Sequence, residues 1–457
     1  MHSEMWQTTR RALGTGAIAA ALGATCFAPS APAYAHGYKV LYTFCRDVDC
    51  VDGANPSGGL VEDAAGNLYG TTVSGGTSSN CNQIACGYGV AFELKRTNSG
   101  YKYRVLYDFD AKGDDAADPG GSLIFDMAGN LYGVTEFGGS GNLGTVFELL
   151  RPKGKSPWTI RILYSFCSED NCADGGYPSS GLTYAGAASG ALYDGTSPLF
   201  GVTFGFGGEG ITAPSTAYEL VPGKSFQVLH TFGETEGDGA GADGPVVLDA
   251  SGNLYGSTIQ SETEFEGGVV YELSPSGGWT ETLLHTFCET FPCTDGSTPE
   301  SGLVIDPSGN LYGTTRYGGA DCTPDGDVGC GVAFEVVPDG VNSQKTVLHA
   351  FCSTKHCGDR PNPAGPLVLD AQGNLFGTTA GYNLFEPKAG GDLFELSGSD
   401  FQVLNKFCKK ANCADGFSPE GPIVRDPQGR TFGVTTYGGN GVSETYAGDG
   451  VAYDLVP

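Results

Sequence analysis

The sequence has 457 residues, among them 74 Gly and 25 Pro, and a formal net charge of −28. This Gly content, with abundant Val, Thr, Tyr and Phe, favours short strands joined by turns over helices. The acidity argues against nucleic acid and anionic membrane surfaces as partners, because phosphate contact needs clustered Lys and Arg. It permits metal cations, basic proteins or neutral glycans, or serves solubility alone.

Residues 1–35 are predicted to be an export signal peptide. Arg10 and Arg11 precede a short stretch rich in Ala, Gly and Leu, and an Ala-Tyr-Ala cleavage pattern ends at Ala35. The apolar run is too short and too rich in Ala and Gly to span a bilayer. We therefore expect a mature chain of residues 36–457 that is soluble, is not inserted in a membrane, and is secreted, periplasmic or at the cell surface.

The mature chain contains seven copies of one repeat, roughly 60 residues apart, a period typical of propeller blades and other arrays. Each copy centres on a Gly-Asn-Leu-Tyr-Gly motif or a looser form of it. The seven motifs lie at residues 66–70, 129–133, 198–201, 252–256, 309–313, 373–377 and 430–433.

Each copy contains four short apolar runs that are predicted to be strands. In chain order they read Gly-Leu-Val-x-Asp, Leu-Tyr-Gly-x-Thr, Gly-x-Ala/Val-Phe-Glu-Leu and Val-Leu-Tyr-x-Phe. Runs of this length bounded by Gly, Asp and Pro are typical of strands. Because the runs are almost continuously apolar, both faces of each small sheet are expected to be buried, as in blades stacked around an axis.

The two ends of the mature chain predict a closed ring. The chain begins with a run of the fourth kind, Val40–Phe44, and ends just after a run of the third kind, Val451–Leu455. Pairing the two completes the last blade and removes two exposed sheet edges. We therefore predict a single all-β domain over residues 36–457, a seven-bladed β-propeller with four-stranded blades.

Residues that recur in every copy are interpreted as scaffold, because a site needs only one copy. The Asp after the first run, such as Asp63, precedes an x-x-Gly turn whose backbone its side chain can bond. The Gly inside the second run, such as Gly70, is expected where backbone or an aromatic ring approaches closely.

The composite motif Asp-x-x-Gly-Asn-Leu-Tyr-Gly-Thr-Thr, followed by Gly-Gly and then by Gly-x-Ala-Phe-Glu-Leu, resembles the GloVer tandem repeat of exported bacterial proteins described as choice-of-anchor proteins. The resemblance covers essentially all of the mature chain and implies export and a repeat fold, with no assigned activity. The chain departs from that family in lacking a C-terminal anchor and in a distorted third copy, over residues 185–197. A more distant similarity to NHL-type propeller repeats implies that the first run is the innermost strand.

The cysteines are predicted to form local disulfides. All of those after Cys26 fall into pairs, and no copy of the repeat has only one member of a pair, as disulfides in an oxidising compartment require. A zinc site is disfavoured, because pairs on separate blades cannot meet to complete four ligands. The predicted pairs are Cys45–Cys50, Cys81–Cys86, Cys167–Cys172, Cys288–Cys293, Cys322–Cys330, Cys352–Cys357 and Cys408–Cys413.

The predicted strand order places two classes of loop on one face, which we call the disulfide-rich face. These are the loops that leave the fourth strand and those between the second and third strands, and they contain all the cysteine pairs. Long, braced loops on a rigid scaffold commonly carry recognition. Aromatic-Gly-Gly tips on this face are the predicted ligand contacts: Phe137, Tyr317 and Tyr437.

Metal sites receive limited support from the sequence. Three His residues occupy one position in the fourth strands of different blades, too far apart to share a metal, and are interpreted as packing residues: His230, His285 and His349. Acidic loops offer several oxygen ligands, as Ca²⁺ prefers. The Ca²⁺ candidates are Asp238, Asp243, Asp325 and Asp327.

The sequence predicts an exported, monomeric, non-catalytic binding or scaffold propeller without a cofactor, whose glycan or protein ligand contacts the disulfide-rich face. The alternative is a propeller hydrolase, lactonase or lyase with a site near the central channel, which needs convergent polar groups. A purely structural role in the cell envelope is a third possibility. Polar residues on the predicted innermost strands are few: Glu62, Thr183, Tyr184 and Arg425.

Overall fold

Among the described residues, the strands form seven antiparallel sheets, each built from four consecutive strand positions of the repeat. The computed structural model describes residues 37–78, 87–112, 115–205, 213–234, 237–261, 267–319, 330–340, 342–352, 359–381, 390–439 and 449–457. The predicted all-β, seven-bladed propeller is confirmed. No helix in this part of the chain is long and apolar enough to cross a membrane.

The blades are numbered in chain order. Blade 1 contains β2 (Val61–Glu62), β3 (Leu68–Thr72), β4 (Val90–Thr97) and β5 (Gly100–Asp108). Blade 2 contains β6 (Ala116–Phe125), β7 (Leu131–Gly138), β8 (Thr145–Leu150) and β9 (Thr159–Ser165). Blade 3 contains β10 (Thr183–Tyr184), β11 (Leu199–Thr203), β12 (Thr216–Val221) and β13 (Ser225–Thr231). In blade 4 the first strand is divided, giving β14 (Ala240–Ala242), β15 (Val247–Leu248), β16 (Leu254–Gln260), β17 (Val269–Ser274) and β18 (Thr280–Thr286).

The remaining blades follow the same order. Blade 5 contains β19 (Val304–Ile305), β20 (Leu311–Thr315), β21 (Val332–Val337) and β22 (Gln344–Ala350). Blade 6 contains β23 (Val368–Leu369), β24 (Leu375–Thr379), β25 (Asp392–Ser397) and β26 (Asp400–Lys406). Blade 7 contains β27 (Val424–Arg425), β28 (Thr431–Thr435), β29 (Val451–Val456) and β1 (Gly37–Thr43). Short 3₁₀ helices lie at Val48–Cys50, Asp170–Cys172, Ala187–Ser189 and Ala411–Cys413.

The ring is closed by the two ends of the mature chain, as predicted. Strand β1 pairs antiparallel with β29, with Tyr42 opposite Ala452. Strand β29 in turn pairs with β28, so blade 7 is completed by a strand from the other end of the chain. Closure leaves neither terminal strand with an unpaired inner edge.

The second and third strands of each blade form the core between neighbouring sheets. All five residues of β3 are buried, as are the first five of β4, which accounts for their continuous apolarity. The Gly in the second strand gives space to a ring from the third: a Cβ at Gly70 would lie 2.8 Å from Phe92 Cζ, and one at Gly133 would lie 2.7 Å from Phe147 Cζ. The close aromatic approach expected at these Gly residues is therefore present.

The turn after the first strand is held by an Asp side chain, also as expected. Asp63 Oδ1 accepts hydrogen bonds from the backbone N–H groups of Ala65 and Asn67, both at 2.9 Å. Burial opposes ionisation of this carboxyl, but these hydrogen bonds hold its pKa below the ordinary value. Equivalent bonds occur at Asp126, Asp249, Asp306, Asp370 and Asp426.

The first strand of every blade lies nearest the axis. The segments that precede these strands meet backbone to backbone around the ring: a Cβ at Gly58 would lie 2.2 Å from Gly121 O in the next blade. A Cβ at Gly365 would lie 2.9 Å from Gly421 O, and one at Gly421 would lie 2.6 Å from Ser57 O, back in blade 1. Segments of successive blades come this close only at the centre of a ring, and Gly permits the approach.

Neighbouring blades are fastened by a left-handed residue followed by Pro. Asn55 (φ 54°) donates its backbone N–H to Asp449 O of blade 7 at 2.9 Å, and a Cβ at Gly450 would lie 2.6 Å from Pro56 Cδ. The Pro ring thus fills the space that a side chain at the Gly would need. The same contact joins Pro119 to Gly89, Pro178 to Gly144, Pro299 to Gly268, Pro363 to Gly331 and Pro419 to Gly391.

The junction between blades 3 and 4 replaces both members of this Pro–Gly pair. Ala242 stands where the other junctions have Pro, so an additional N–H is buried there. Ser215, in the Gly position, accepts that N–H at its Oγ (2.8 Å) and donates to Thr203 O (2.9 Å). The paired change leaves the buried donor satisfied, as burial requires.

Gly450→Ala is expected to weaken the closure of the ring. Its Cβ would lie 2.4 Å from Thr435 O and 2.6 Å from Pro56 Cδ at a φ of 99°. Gly154→Ala is the matched control, because Gly154 also has a positive φ but nothing within 4 Å of the added Cβ. We expect Gly450→Ala to lower the free energy of unfolding by about 1–3 kcal/mol more than Gly154→Ala, measured by urea denaturation. Equal losses of stability in the two variants would contradict the close contact of Gly450 with Pro56 and Thr435.

Candidate functional site

The disulfide-rich face contains the predicted disulfides wherever both cysteines belong to the described part of the chain. Cys330 and Cys352 are also disulfide-bonded. Their predicted partners, Cys322 and Cys357, and the predicted pair Cys81–Cys86 lie outside the described residues. The disulfides formed between described residues are Cys45–Cys50, Cys167–Cys172, Cys288–Cys293 and Cys408–Cys413.

In most of the loops that leave the fourth strand, an Asp attaches the loop to that strand. Asp52 accepts hydrogen bonds from Tyr42 Oη (2.6 Å) and from the backbone N–H groups of Arg46 (3.1 Å) and Asp47 (3.2 Å). In three blades His takes the place of Tyr, so the His residues interpreted as packing residues also bond an Asp. These pairs are His230–Asp238 (3.3 Å), His285–Asp295 (3.1 Å) and His349–Asp359 (2.7 Å).

Polar side chains reach the axis on the same face from three positions of the repeat. One is the residue directly after the Leu-Tyr-Gly-x-Thr run of the second strand, another is the residue after the fastening Pro, and the third is the left-handed residue before that Pro. Three blades have only uncharged residues at these positions, and the other four place charged groups there. We call these residues the axial cluster: Asp118, Glu136, Asp243, Glu300, Arg316 and Glu420.

One side of the axial cluster is organised by Arg316. Its Nη1 donates to Glu300 Oε1 at 2.6 Å, and both side chains remain partly exposed. Glu420, in blade 7, accepts from Ser418 Oγ (2.9 Å) and Thr436 Oγ1 (3.3 Å). The charges of Arg316 and Glu420 both act on the pKa of Glu300, and the charge of Glu420 also acts on the pKa of Arg316. Charged groups from blades 5 and 7 therefore share one site.

The other side of the axial cluster holds the carboxylates of Asp118, Glu136 and Asp243. Asp243 accepts from Ser179 Oγ and from the N–H of Gly244, both at 2.9 Å. Burial raises the pKa of Asp118 to about 6. Burial, followed by the charges of Asp118 and Asp243, raises the pKa of Glu136 to about 7. Close to neutral pH, this side of the site therefore holds an exchangeable proton.

Burial also raises the pKa of Asp243 and Glu300, but cations and hydrogen bonds oppose it there. The N–H of Gly244, Ser179 and the charge of Arg316 favour the ionised form of Asp243. The guanidinium of Arg316 does the same for Glu300. Arg316 thus favours the ionised form of both carboxyls, in opposition to burial.

The three aromatic tips predicted to contact a ligand stand beside this cluster. All three are half-buried, and Phe137 and Tyr317 directly follow Glu136 and Arg316 in sequence. Phe137 packs edge-on against Tyr177 (centroids 5.5 Å apart), and the Arg316 guanidinium lies 5.6 Å from the centroid of the Tyr317 ring. The third, Tyr437, stacks on Phe417 at 5.3 Å. Their role in binding stays a prediction.

The Ca²⁺ candidates separate into different environments. Asp238 is buried beside His230 and accepts from the N–H of Gly233 (3.1 Å), whereas Asp243 belongs to the axial cluster. Among the described residues, the groups of three potential ligands with closely spaced atoms include Asp238 but not Asp243. Asp325 and Asp327 lie outside the described residues. Binding of Ca²⁺ stays a prediction.

The polar residues on the innermost strands contribute little to this site. Arg425 lies 3.5 Å from the centroid of the Phe376 ring and donates to Thr431 Oγ1 at 2.9 Å. Thr183 and Tyr184 are buried, and the pKa of Glu62 is raised chiefly by burial. The axial charges come instead from the residues on either side of the fastening Pro and from the residue after the Leu-Tyr-Gly-x-Thr run.

The polar residues predicted on the innermost strands do not include the axial cluster, of which only Asp243 is a sequence-predicted candidate. Alignment of the copies reveals the signal: the residue after the Leu-Tyr-Gly-x-Thr run changes from copy to copy although its neighbours recur. The seven residues at this position are Val73, Glu136, Phe204, Ile259, Arg316, Ala380 and Thr436. Variation inside an otherwise repeated motif marks a position that the scaffold does not need.

Comparison with known proteins agrees with the repeat fold. The chain matches the Gloeobacter/Verrucomicrobia repeat family over residues 33–208 and 185–354. A similar solved structure is the extracellular domain of a protein described as a one-component system of B. thetaiotaomicron, with 10% identity and a TM-score of 0.50 over 91% of this chain. The chain spans only 40% of that protein's length. A protein of unknown function from Dyadobacter fermentans has 12% identity and a TM-score of 0.42, over 92% of this chain and 98% of that one. No curated protein matches.

Glu136→Gln is expected to stabilise the protein at alkaline pH. The pKa of Glu136 is raised from 4.5 to about 7 on folding, so the folded state binds the proton more tightly than the unfolded state. Stability then falls as pH rises between these values, and the penalty is complete above pH 7. We expect the variant to exceed the wild type by about 1–2 kcal/mol at pH 8, and the gain to vanish near pH 4.5, in urea denaturation across pH.

The control for this prediction is Glu289→Gln, which removes one carboxylate from an exposed position. It separates the local effect of burial from the general effect of removing one negative charge from a chain whose net charge is −28. The same pH profile for both variants would contradict the burial of Glu136 among like charges.

Proposed function

The chain belongs to the Gloeobacter/Verrucomicrobia repeat family, and we propose that it is an exported, monomeric, non-catalytic binding propeller whose ligand docks on the disulfide-rich face at the axial cluster. Residues 36–457 form the mature binding domain, and residues 1–35 are the export signal. No cofactor takes part in this binding.

Export is supported by the redox chemistry of the chain. Disulfides such as Cys45–Cys50 and Cys408–Cys413 are maintained in oxidising compartments, and are rare where thiols are kept reduced. The signal pattern that ends at Ala35 fits the same destination. The solved neighbour of similar fold is itself an extracellular domain. The protein is accordingly secreted, periplasmic or at the cell surface.

The observation that carries the proposal is the convergence of five carboxylates on one axis from four different blades. Asp118 and Glu136 come from blade 2, and Asp243 from blade 4. Each is crowded enough for burial to raise its pKa, yet each side chain remains partly exposed. A carboxylate that is desolvated and still reachable gains more from a ligand's positive charge than one in open water does.

The ligand class that this chemistry favours is a protein segment with Lys or Arg side chains. Arg316 is the single cation of the axial cluster, and it already pairs with Glu300. A basic side chain would offset the repulsion that raises the pKa of Glu136. The charge of −28 attracts such a partner from a distance as well.

A neutral glycan is the second candidate ligand, favoured by a different observation. The half-buried rings of Phe137, Tyr317 and Tyr437 stand beside the carboxylates, and aromatic faces next to hydrogen-bonding groups are the usual composition of a pocket that fixes a ligand's orientation. A glycan ligand depends on the rings, whereas a basic segment depends on the carboxylates.

Binding of a lysine-rich peptide to the mature protein tests the lead proposal. We expect Asp118→Asn combined with Glu136→Gln to weaken binding at least about tenfold in calorimetric titration, a change of about 1.4 kcal/mol. The matched control is Asp47→Asn with Asp49→Asn, which removes two exposed carboxylates from the same face but from a disulfide loop. Binding should also weaken with added salt.

The outcomes of this experiment separate the candidates. Equal losses in the axial and control variants would mean that the peptide responds only to net charge, which would refute the axial site. If the peptide does not bind and a glycan array gives binding that is lost in Tyr317→Ala, the ligand is a glycan. Absence of both kinds of binding would overturn the proposal.

The enzymatic alternative also has one observation in its favour. A carboxyl with a pKa of about 7, such as Glu136, suits a general acid at neutral pH, and Asp118 and Asp243 act on it as neighbouring charges. If the protein is a propeller hydrolase, we expect turnover of a model lactone or glycoside that falls at least about 100-fold in Glu136→Gln. Turnover that is unchanged in this variant would exclude the axial cluster as its catalytic centre.

A further inference from the structure

The fourth strands of neighbouring blades meet through a repeated aromatic stack. One position of this strand places a ring flat against the Tyr or His of the preceding blade that bonds the loop Asp. Tyr103 stacks on Tyr42 with centroids 3.9 Å apart and planes at 8°. The pairs Phe226–Tyr164 (3.7 Å, 6°) and Phe401–His349 (3.8 Å, 1°) repeat this arrangement. A ring at this position is the repeat's ordinary way to join two blades.

Blade 4 departs from this arrangement, because its strand β18 places Glu281 at the position that holds a ring in blades 1, 3 and 6. Glu281 Oε2 lies 3.8 Å from Nε2 of His230, which itself lies 3.3 Å from both carboxylate oxygens of Asp238. The three side chains are only 13%, 18% and 1% exposed for Glu281, His230 and Asp238. One ligand atom from each lies within 4.8 Å of the others.

This arrangement is short of positive charge. Glu281 Oε1 is buried without a hydrogen-bond partner among the described residues. The carboxylate of Asp238 belongs to the same close group, so two buried carboxylates share one imidazole. A ring at this position would avoid both costs, so a Glu is unfavourable here unless a cation joins the cluster.

The neighbouring junction supplies such a cation from the chain itself. Between blades 4 and 5 the ring position is occupied by Lys345, whose Nζ donates to the backbone oxygen of Asp295, the Asp that bonds His285. The junction between blades 3 and 4 has the same His–Asp pair but an anion in the ring position. A cation from outside the chain would supply the charge that Lys345 supplies at the neighbouring junction.

We propose that His230, Asp238 and Glu281 bind a Zn²⁺ ion at the junction of blades 3 and 4. Zinc accepts one imidazole nitrogen and two carboxylate oxygens, leaving a fourth position for water or another ligand. Bonds of 2.0–2.1 Å in a tetrahedron require ligand atoms about 3.3–3.5 Å apart. The spacings of 3.3 and 3.8 Å around His230 Nε2 meet this requirement with a small movement of Glu281.

The surroundings of the cluster hold two of the ligands in place. The N–H of Gly233 donates to Asp238 Oδ2 at 3.1 Å and so fixes the orientation of this carboxylate, as hydrogen bonds to metal ligands do in zinc sites. The His230 ring packs edge-on against Phe232 with centroids 4.8 Å apart. Among the described residues, the other close group of potential ligands is Cys45, Cys50 and Asp449, which lacks free thiols because its cysteines are bonded to each other.

Glu281→Phe is the decisive variant. It introduces the ring that blades 1, 3 and 6 have at this position, and the variant is therefore expected to fold. After treatment with a chelator, the wild-type mature protein should bind one Zn²⁺ per chain in equilibrium dialysis. Glu281→Phe should raise the Zn²⁺ dissociation constant at least about 100-fold. Zn²⁺ should raise the thermal midpoint of the wild type and leave that of the variant unchanged.

Further variants keep the result independent of folding and of other sites. Glu281→Gln preserves the shape of the side chain and should also lose Zn²⁺. Asp118→Asn with Glu136→Gln changes only the axial cluster and should keep it. Absence of Zn²⁺ binding by the wild type, or equal binding by wild type and Glu281→Phe, would overturn the proposal. Neither result bears on ligand binding at the axial cluster, which the peptide titration tests separately.

Discussion

Pairing of β1 with β29 is the interaction on which the rest of the molecule depends. It joins residues from opposite ends of the mature chain, with Tyr42 opposite Ala452, and so turns a row of blades into a ring. The same junction is reinforced by Asn55, which donates its backbone N–H to Asp449 O and its side-chain Nδ2 to Thr436 O. Without closure, blade 7 would lack a strand and the innermost segments would have no common axis.

The axial cluster is a consequence of that geometry. Only a closed ring brings the segment before the first strand of each blade into contact with the next, and this crowding removes water from carboxylates such as Glu136 and Asp243. The raised pKa of Asp243 records a cost of burial that the N–H of Gly244, Ser179 and Arg316 offset only in part, whereas the charges of Asp118 and Asp243 add to the cost at Glu136. In folded proteins, groups with such shifted pKa values cluster at binding and catalytic sites.

Most of the scaffold could be predicted from the sequence, because its physical causes repeat. The turn Asp at 63, the second-strand Gly at 70 and the cysteine pairs each recur at fixed spacing, and each has one structural explanation. Ring closure could be predicted as well, since the first and last apolar runs complement each other. The divided first strand of blade 4 and the Ala242–Ser215 replacement could not, because they depend on hydrogen bonds between blades.

The candidate sites were harder to predict for the opposite reason. Glu136 and Glu281 stand at positions where the repeat itself gives no expectation of charge, and only the structure reveals which side chains from other blades they face. His230 illustrates the point: its position in the strand favoured a packing role, while its contact with Asp238 and Glu281 depends on the angle between two blades. In this chain, both proposed sites lie at departures from the repeat.

Native-state hydrogen exchange on the mature protein tests ring closure most directly. If β1 is a full member of blade 7, the amides of Gly37–Thr43 that bond β29 will exchange as slowly as those of β3 and β4, and will open only with global unfolding. Exchange of these amides at the rate of a frayed terminus, while the internal strands stay protected, would contradict the closed ring and the axial site built on it.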